Sequence, residues 1–390
     1  MNFSTRTNWN LDQSDFTAAL HARRAQGLPL LDLTVSNPTT CGFAYHAPSL
    51  LTPLASPEAL NYEPDPLGMR SAREAVSLYY RDHGANVPID RICLTTSTSE
   101  AYSFLFRLLC NAGDEVLIAR PSYPLFDYIA QLDDVTLREY PLLYDPNAGA
   151  ASTHGWSVDL HALEAAITHR TRAIVVVHPN NPTGSFASNA ERRALQLICA
   201  RNNLALIVDE VFLDYPIQEA QSSFSVDEPR CLTFILSGVS KVCGLPQMKV
   251  SWLVACGSPA LVRSAMERLE VIADTFLSMN APVQCALQTW LSDRNRIQQQ
   301  IHERMIANLA SVDDHVQGTS LQRLALQAGW SCVLRVPRTV DGKDFVSAAL
   351  DRGVIVQPGY FYGLGEGRVI LSLLTPQKIW KAGLDLLPLE

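Results

Sequence analysis

The chain has no C-x-x-C pair, no dense block of Lys or Arg, no repeat or low-complexity segment, and no apolar run approaching a membrane span, which needs roughly 20 residues. Each absence excludes something. The nine cysteines are scattered, which fits a reduced intracellular protein in which most are small core residues and none frames a disulfide or metal site. With 31 basic against 39 acidic residues and a formal charge of −8, neither nucleic acid nor a membrane surface is the expected partner, and small soluble ligands are favoured. The opening stretch MNFSTRTNWNLDQSDF has no apolar signal core, so the expected location is cytoplasmic.

What is present is enough apolar material for a large interior. At 390 residues with 47% hydrophobic content, the chain should form two packed units. From about Leu51 to Leu291, short apolar runs alternate with amphipathic stretches. RICLTT (Arg91 to Thr96), DEVLIA (Asp114 to Ala119), RAIVVVH (Arg172 to His178), LALIVDE (Leu204 to Glu210) and TFILSG (Thr233 to Gly238) have strand length and nearly continuous apolar character. That pattern predicts strands buried on both faces, hence a parallel sheet.

Helix patterns lie between them. STSEAYSFLFRLLCNAG opens with Ser97 and Glu100 at capping-box spacing and is expected to stop at Gly113; Ser188 and Glu191 repeat the device. Alternating strands and helices predict a doubly wound α/β domain that binds ligands beyond the carboxyl ends of its strands. After about Gln284 a long polar helix pattern precedes WSCVLRVP, DGKDFVSAALDRG and two short strands, which reads as a smaller α+β domain. The expected division is residues 1–46 packing with the small domain, 47–285 as the large domain and 286–390 as the small one.

Polar residues fall where the strands end: Thr96, Ser97 and Thr98, then Asn181 in HPNNPTG, Asp209 and Lys241. Singly, each has an ordinary structural reading, as a cap, a turn or a solvated charge. Together they suit one ligand. Hydroxyls at a helix N-terminus bind phosphate, a buried carboxylate keeps a heterocyclic nitrogen protonated, and a partly neutral lysine condenses with an aldehyde. Phosphate, pyridine nitrogen and aldehyde describe pyridoxal phosphate (PLP).

The motifs HPNNPTG, IVDEVF, SGVSK, GDEVLIARPSYP, YEPDPLGMRSAREAV and GVIVQPGYFYG, spread from about Leu31 to Thr375, resemble in order and spacing the class I/II aminotransferases of PLP fold type I. The resemblance implies a mostly parallel central sheet with a smaller α+β domain, and an enzyme that moves an amino group between an amino acid and a 2-oxo acid by a ping-pong cycle. It implies that Lys241 forms the Schiff base and shuttles a proton, Asp209 pairs with the pyridinium, Asn181 lies at the ring hydroxyl and the substrate carboxylate, and Tyr123 stacks on the ring. Ser97, Thr98 and Ser240 would hold the phosphate. Tyr62 matches a tyrosine that reaches the phosphate of the neighbouring subunit, which implies a homodimer with shared active sites. Ser36 stands in a loop resembling the one that closes over substrate, and Trp330 and Tyr360 are candidates for the pocket wall or for the core.

The departures from the motif bear on substrate. Lys249 stands where the family has a phosphate-binding arginine, a point charge in place of a two-pronged fork. Ser237 precedes the lysine by four residues, one more than the usual phosphate serine. Phe212 replaces a tyrosine that donates to the ring oxygen, so the Schiff base is expected to titrate higher. Ile370 occupies the place of the arginine that grips the substrate carboxylate, and Arg368, two residues earlier on the same strand face, is its candidate substitute. That loss keeps open a lyase, cyclase or oxidase of the same fold; a non-catalytic PLP-binding regulator is the third reading.

Overall fold

The computed structural model describes residues 1–62, 64–147, 155–227, 229–277, 279–337 and 342–388. Eight strands form one sheet: β1 (Ile92–Thr95), β2 (Glu115–Arg120), β3 (Thr136–Tyr144), β4 (Trp156–Val158), β5 (Thr171–Val177), β6 (Ala205–Asp209), β7 (Thr233–Gly238) and β8 (Ser251–Cys256). Their spatial order is β1-β8-β7-β6-β5-β2-β3-β4. The pairs β2/β3, β2/β5, β5/β6 and β6/β7 are parallel, while β8 runs antiparallel to both of its neighbours.

The continuous apolar runs are continuous because both faces are covered. On β5, Ile174 and Val176 point into one core and Ala173 and Val175 into the other; β6 and β7 alternate in the same way. The first core is closed by helices Arg70–Asp82, Asn189–Asn202 and Ala281–Asp293, the second by Thr98–Leu109 and Pro259–Phe276. Each fully buried Leu, Ile or Val in these layers contributes about 1.5–3 kcal/mol relative to exposure.

Two local expectations are revised. The helix beginning at Thr98 ends at Leu109, because Cys110 turns extended. Gly113, at φ +81°, instead makes the bend into β2, its N–H donating to Asp134 O at 2.7 Å. β3, β4 and β8 fall outside the runs read as strands. β3 mixes exposed and covered residues, as an outer strand does, and β4 and β8 are the strands that break the parallel order.

A third core belongs to the C-terminal part. Ile297, Ile301, Met305, Leu309 and Val312 recur at helical spacing on Asn295–Val316 and pack against the antiparallel strands Ser331–Arg335 and Arg368–Ser372. The N-terminal segment joins this core. Leu31–Asp32 pairs in parallel with Val354–Ile355, Leu33 is fully buried there, and Ser372 N–H donates to Leu33 O at 2.7 Å.

The two parts meet at the NNPTG turn. Gly184 adopts φ +64°, its carbonyl accepts from Ala328 N–H at 2.9 Å, and a Cβ there would sit 2.1 Å from Ala328 O. Gly184→Ala should therefore cost the left-handed penalty of about 1–2 kcal/mol plus displacement of the turn that carries Asn181. A lower thermal midpoint together with weakened retention of bound ligand is expected; an unchanged melt would contradict this placement.

Candidate active site

Strands β1, β5, β6 and β7 point the same way, so their carboxyl ends share one rim of the sheet. Thr96 follows β1, Asn181 follows β5, Asp209 ends β6, and Lys241 lies three residues past β7. The reversed direction of β8 adds a fifth group. Its first residue, Ser251, pairs with Thr95 on one side and Gly238 on the other, which places Lys249, two residues before it, on the same rim.

These groups line one cavity of about 350 Å³. Thr96, Ser97, Thr98, Tyr123, Asn181, Asp209, Ser240, Lys241, Lys249 and Ser36 all face it. Of the two asparagines in the turn, Asn181 reaches the cavity, whereas Asn180 is buried in the turn itself, donating to Pro121 O at 3.3 Å and accepting from Thr183 Oγ1 at 2.9 Å. Ser97 is the cap of helix Thr98–Leu109, its Oγ accepting from Glu100 N–H at 3.1 Å. The first-turn N–H groups of a helix have no intrahelical partner and carry the positive end of its dipole, so this corner favours an anion.

The electrostatics of the floor are unusual. Asp209 is buried and accepts from Tyr102 Oη and Val211 N–H, both at 3.1 Å, and among the described residues no cation stands within ion-pair distance of it. Burial pushes its carboxyl up to about 6, against those two donors and the charge of Lys241. Burial likewise lowers the Lys241 ammonium, with Asp209 pulling the other way. The Lys241 Nζ lies 5.0 Å from the ring centroid of Trp330 and 5.5 Å from that of Phe212.

Four residues singled out in the sequence lie elsewhere. Ser237 is buried, opposite Trp252 across the ladder, and does not line the cavity. Tyr62 is 82% exposed and sits in a separate surface hollow with Met69, Met279 and Gln284. Tyr360 is about half exposed and does not line the cavity; Tyr362, two residues on, lines it instead because the turn Gly359–Tyr362 carries the two rings in different directions. Arg368 is not in the lining either. Its Nη1 donates to Glu366 O at 3.2 Å and it faces Arg335 across the ladder, while Ile370 does line the cavity.

Tyr102 and Gln357 were not foreseen. Tyr102 stands one helical turn after Thr98, and that i,i+4 spacing puts both on one helix face. Gln357 reaches the cavity from a two-residue strand, which leaves no periodic signal.

The rim thus offers an anion corner, a buried carboxylate without a cation, and a lysine whose charge is disfavoured, the constellation of a PLP-binding site on a doubly wound fold. A match to the aminotransferase class I and II family spans residues 49–382, and the chain belongs to that family. Among curated relatives, glutamate-pyruvate aminotransferase AlaA of Escherichia coli K12 is 31% identical over 269 residues, 68% of this chain and 64% of that protein. Alanine aminotransferase of Mycobacterium tuberculosis H37Rv is 31% identical over 286 residues, 71% and 64% respectively. The matched part therefore spans less than two thirds of either relative. Among solved structures, an alanine aminotransferase from Pyrococcus furiosus superposes with a TM-score of 0.87 at 20% identity, covering 99% of this chain and 98% of that one. Aspartate aminotransferase of Thermus thermophilus with maleate gives 0.82 at 20% identity, covering 99% and 98%. Both structures are likenesses of fold.

The cofactor implied by the family is PLP, and the residues fit it. The cation-less Asp209 suits a protonated ring nitrogen, and Lys249 has no ion-pair partner among the described residues, as a counter-charge for phosphate requires.

Asp209 also sets a pH dependence. Its folded pKa, about 6, lies above the roughly 3.9 of an unfolded aspartate. Below both values the group costs nothing. As pH rises from about 4 the unfolded state releases its proton first, so stability falls until pH passes the folded value. In cofactor-free protein, the stability of Asp209→Asn relative to wild type should climb between pH 4 and 7 by on the order of 3 kcal/mol. Parallel denaturation profiles would contradict the burial of an uncompensated charge.

Proposed function

We propose that the chain is a PLP-dependent aminotransferase that takes an amino group from one substrate and passes it to a second in two half-reactions. Two relatives are named for glutamate, pyruvate and alanine, and exchange between an amino acid and a 2-oxo acid is the starting reading of the substrates. The observation that carries the proposal is the pairing, in one cavity, of a lysine whose positive charge burial disfavours with a carboxylate that lacks a cation. The division into residues 1–46, 47–285 and 286–390, a cytoplasmic location and a homodimer belong to the same reading. Tyr62, remote from the cavity of its own chain, is assigned to the neighbouring subunit's site.

When bound, PLP supplies an electron-withdrawing ring that weakens a bond at the carbon bearing the substrate's amine. The chain's own residues do the rest. Lys241 would be the point of covalent attachment, and its freed Nζ, whose positive charge burial disfavours, would take the proton from that carbon and deliver it to the carbon that had carried the cofactor's aldehyde. Asp209 would hold a proton on the ring nitrogen, its carboxylate oriented by donors from Tyr102 Oη and Val211 N–H. Ser97, Thr98, Ser240 and Lys249 would hold the phosphate, and Tyr123 and Asn181 would hold the ring. Phe212 contributes no donor to the ring hydroxyl oxygen.

The purified protein should be yellow, and borohydride should bleach it while fixing one cofactor on Lys241, among the five lysines of the chain. A panel of amino compounds supplied without an acceptor should then yield one stoichiometric turnover and stop. Continuous release of ammonia would instead identify a lyase, and a colourless protein that cannot be reconstituted would overturn the cofactor assignment.

A further inference from the structure

The small-domain side of the cavity has a chemistry that none of these roles uses. It is built from Trp330, Ser331, Gln357, Ile370 and Ser372, all uncharged. Ile370 is 2% exposed and packs behind into an apolar cluster with Trp156, Val333 and Tyr362. Among the described residues, Lys241 and Lys249 are the only cations lining the cavity. The first is the reacting amine and the second is assigned to phosphate, so this wall has no positive charge to offer. The guanidinium of Arg368 is turned to Glu366 O.

The wall does offer neutral donors. The Trp330 indole N–H is buried and without a partner. The Gln357 Oε1 accepts from Tyr362 Oη at 3.2 Å, which turns the amide N–H₂ into the group left for a ligand. Ser372 is already committed, its Oγ donating to Val35 O at 2.7 Å. A carboxylate pressed against Ile370 would lose its water without gaining a cation. A carboxamide or hydroxyl oxygen accepts from the same two donors without that loss.

We infer that the preferred substrate carries, on the carbon next to its reacting amine, a neutral hydrogen-bonding group in place of a free carboxylate, as an amino-acid amide or an amino alcohol does. The inference rests on the aminotransferase reading and names its substrate class. Trp330 and Gln357 are the specificity-determining donors, and Ile370 is the residue that excludes the acid.

The test uses the holoenzyme and matched sets of an amino acid, its amide and its alcohol, with alanine, leucine and phenylalanine side chains. Single-turnover conversion should favour the amide or alcohol over the acid at least tenfold, and which of the two leads separates the two sources of neutral oxygen. Binding is read without turnover by calorimetry with 2-aminoisobutyrate and its amide, which have no proton to lose at that carbon. The amide should bind at least tenfold more tightly, Gln357→Leu should weaken it, and Ile370→Arg should reverse the order. Tighter binding of the acid by wild type, or acid binding that disappears in Arg368→Ala, would overturn the inference and make Arg368 the carboxylate ligand. Ammonia release with the amide still preferred would uphold the substrate class while overturning amino transfer.

Discussion

Asp209 ends a strand that is buried on both faces, and its carboxylate has two hydrogen-bond donors but no cation. Left alone, such a group drifts toward its protonated form, as its pKa of about 6 records. The chain keeps it there at a cost to its own stability. A ligand that brought a positive charge to the floor of the cavity would recover that cost, and the groups around it suit the proposed cofactor: hydroxyls at Ser97 and Thr98, the ammonium of Lys249, and a lysine beside Trp330 and Phe212.

The fold supplies this arrangement through direction. Parallel strands bring Asn181, Asp209 and Lys241 to one rim, and the reversed β8 inserts Ser251 between Thr95 and Gly238, with Lys249 two residues before it at the same rim. The C-terminal part completes the cavity with Trp330, Gln357 and Ile370, and Gly184 and Ala328 bring two backbones together with no room for a side chain. Asn181 and Trp330, which both line the cavity, therefore stand three and two residues from one backbone contact, Ala328 N–H to Gly184 O.

Much of this was legible in the sequence because burial on both faces writes a continuous apolar run, and the polar residue that ends such a run is conspicuous. That logic placed Asp209, Asn181 and Lys241 correctly within the cavity. It failed where the signal is tertiary. β3 carries the mixed pattern of an outer strand, Tyr102 looks like one more core aromatic of its helix, and Gln357 belongs to a strand too short to show a period. Tyr360 and Tyr362 share one motif, and only the turn decides which of them faces inward. The place of Arg368 likewise depended on packing: strand parity puts it on the same face as Ile370, yet it lies two pairs further along, opposite Arg335 and beyond the lining.

The central claim is that Asp209 exists to hold a cation that the ligand brings. It is tested most directly by the nitrogen-15 resonance of holoenzyme reconstituted with PLP labelled at the ring nitrogen. The account predicts a protonated ring nitrogen through pH 8 in the wild type and an unprotonated one in Asp209→Asn. An unprotonated nitrogen in the wild type at neutral pH would contradict it.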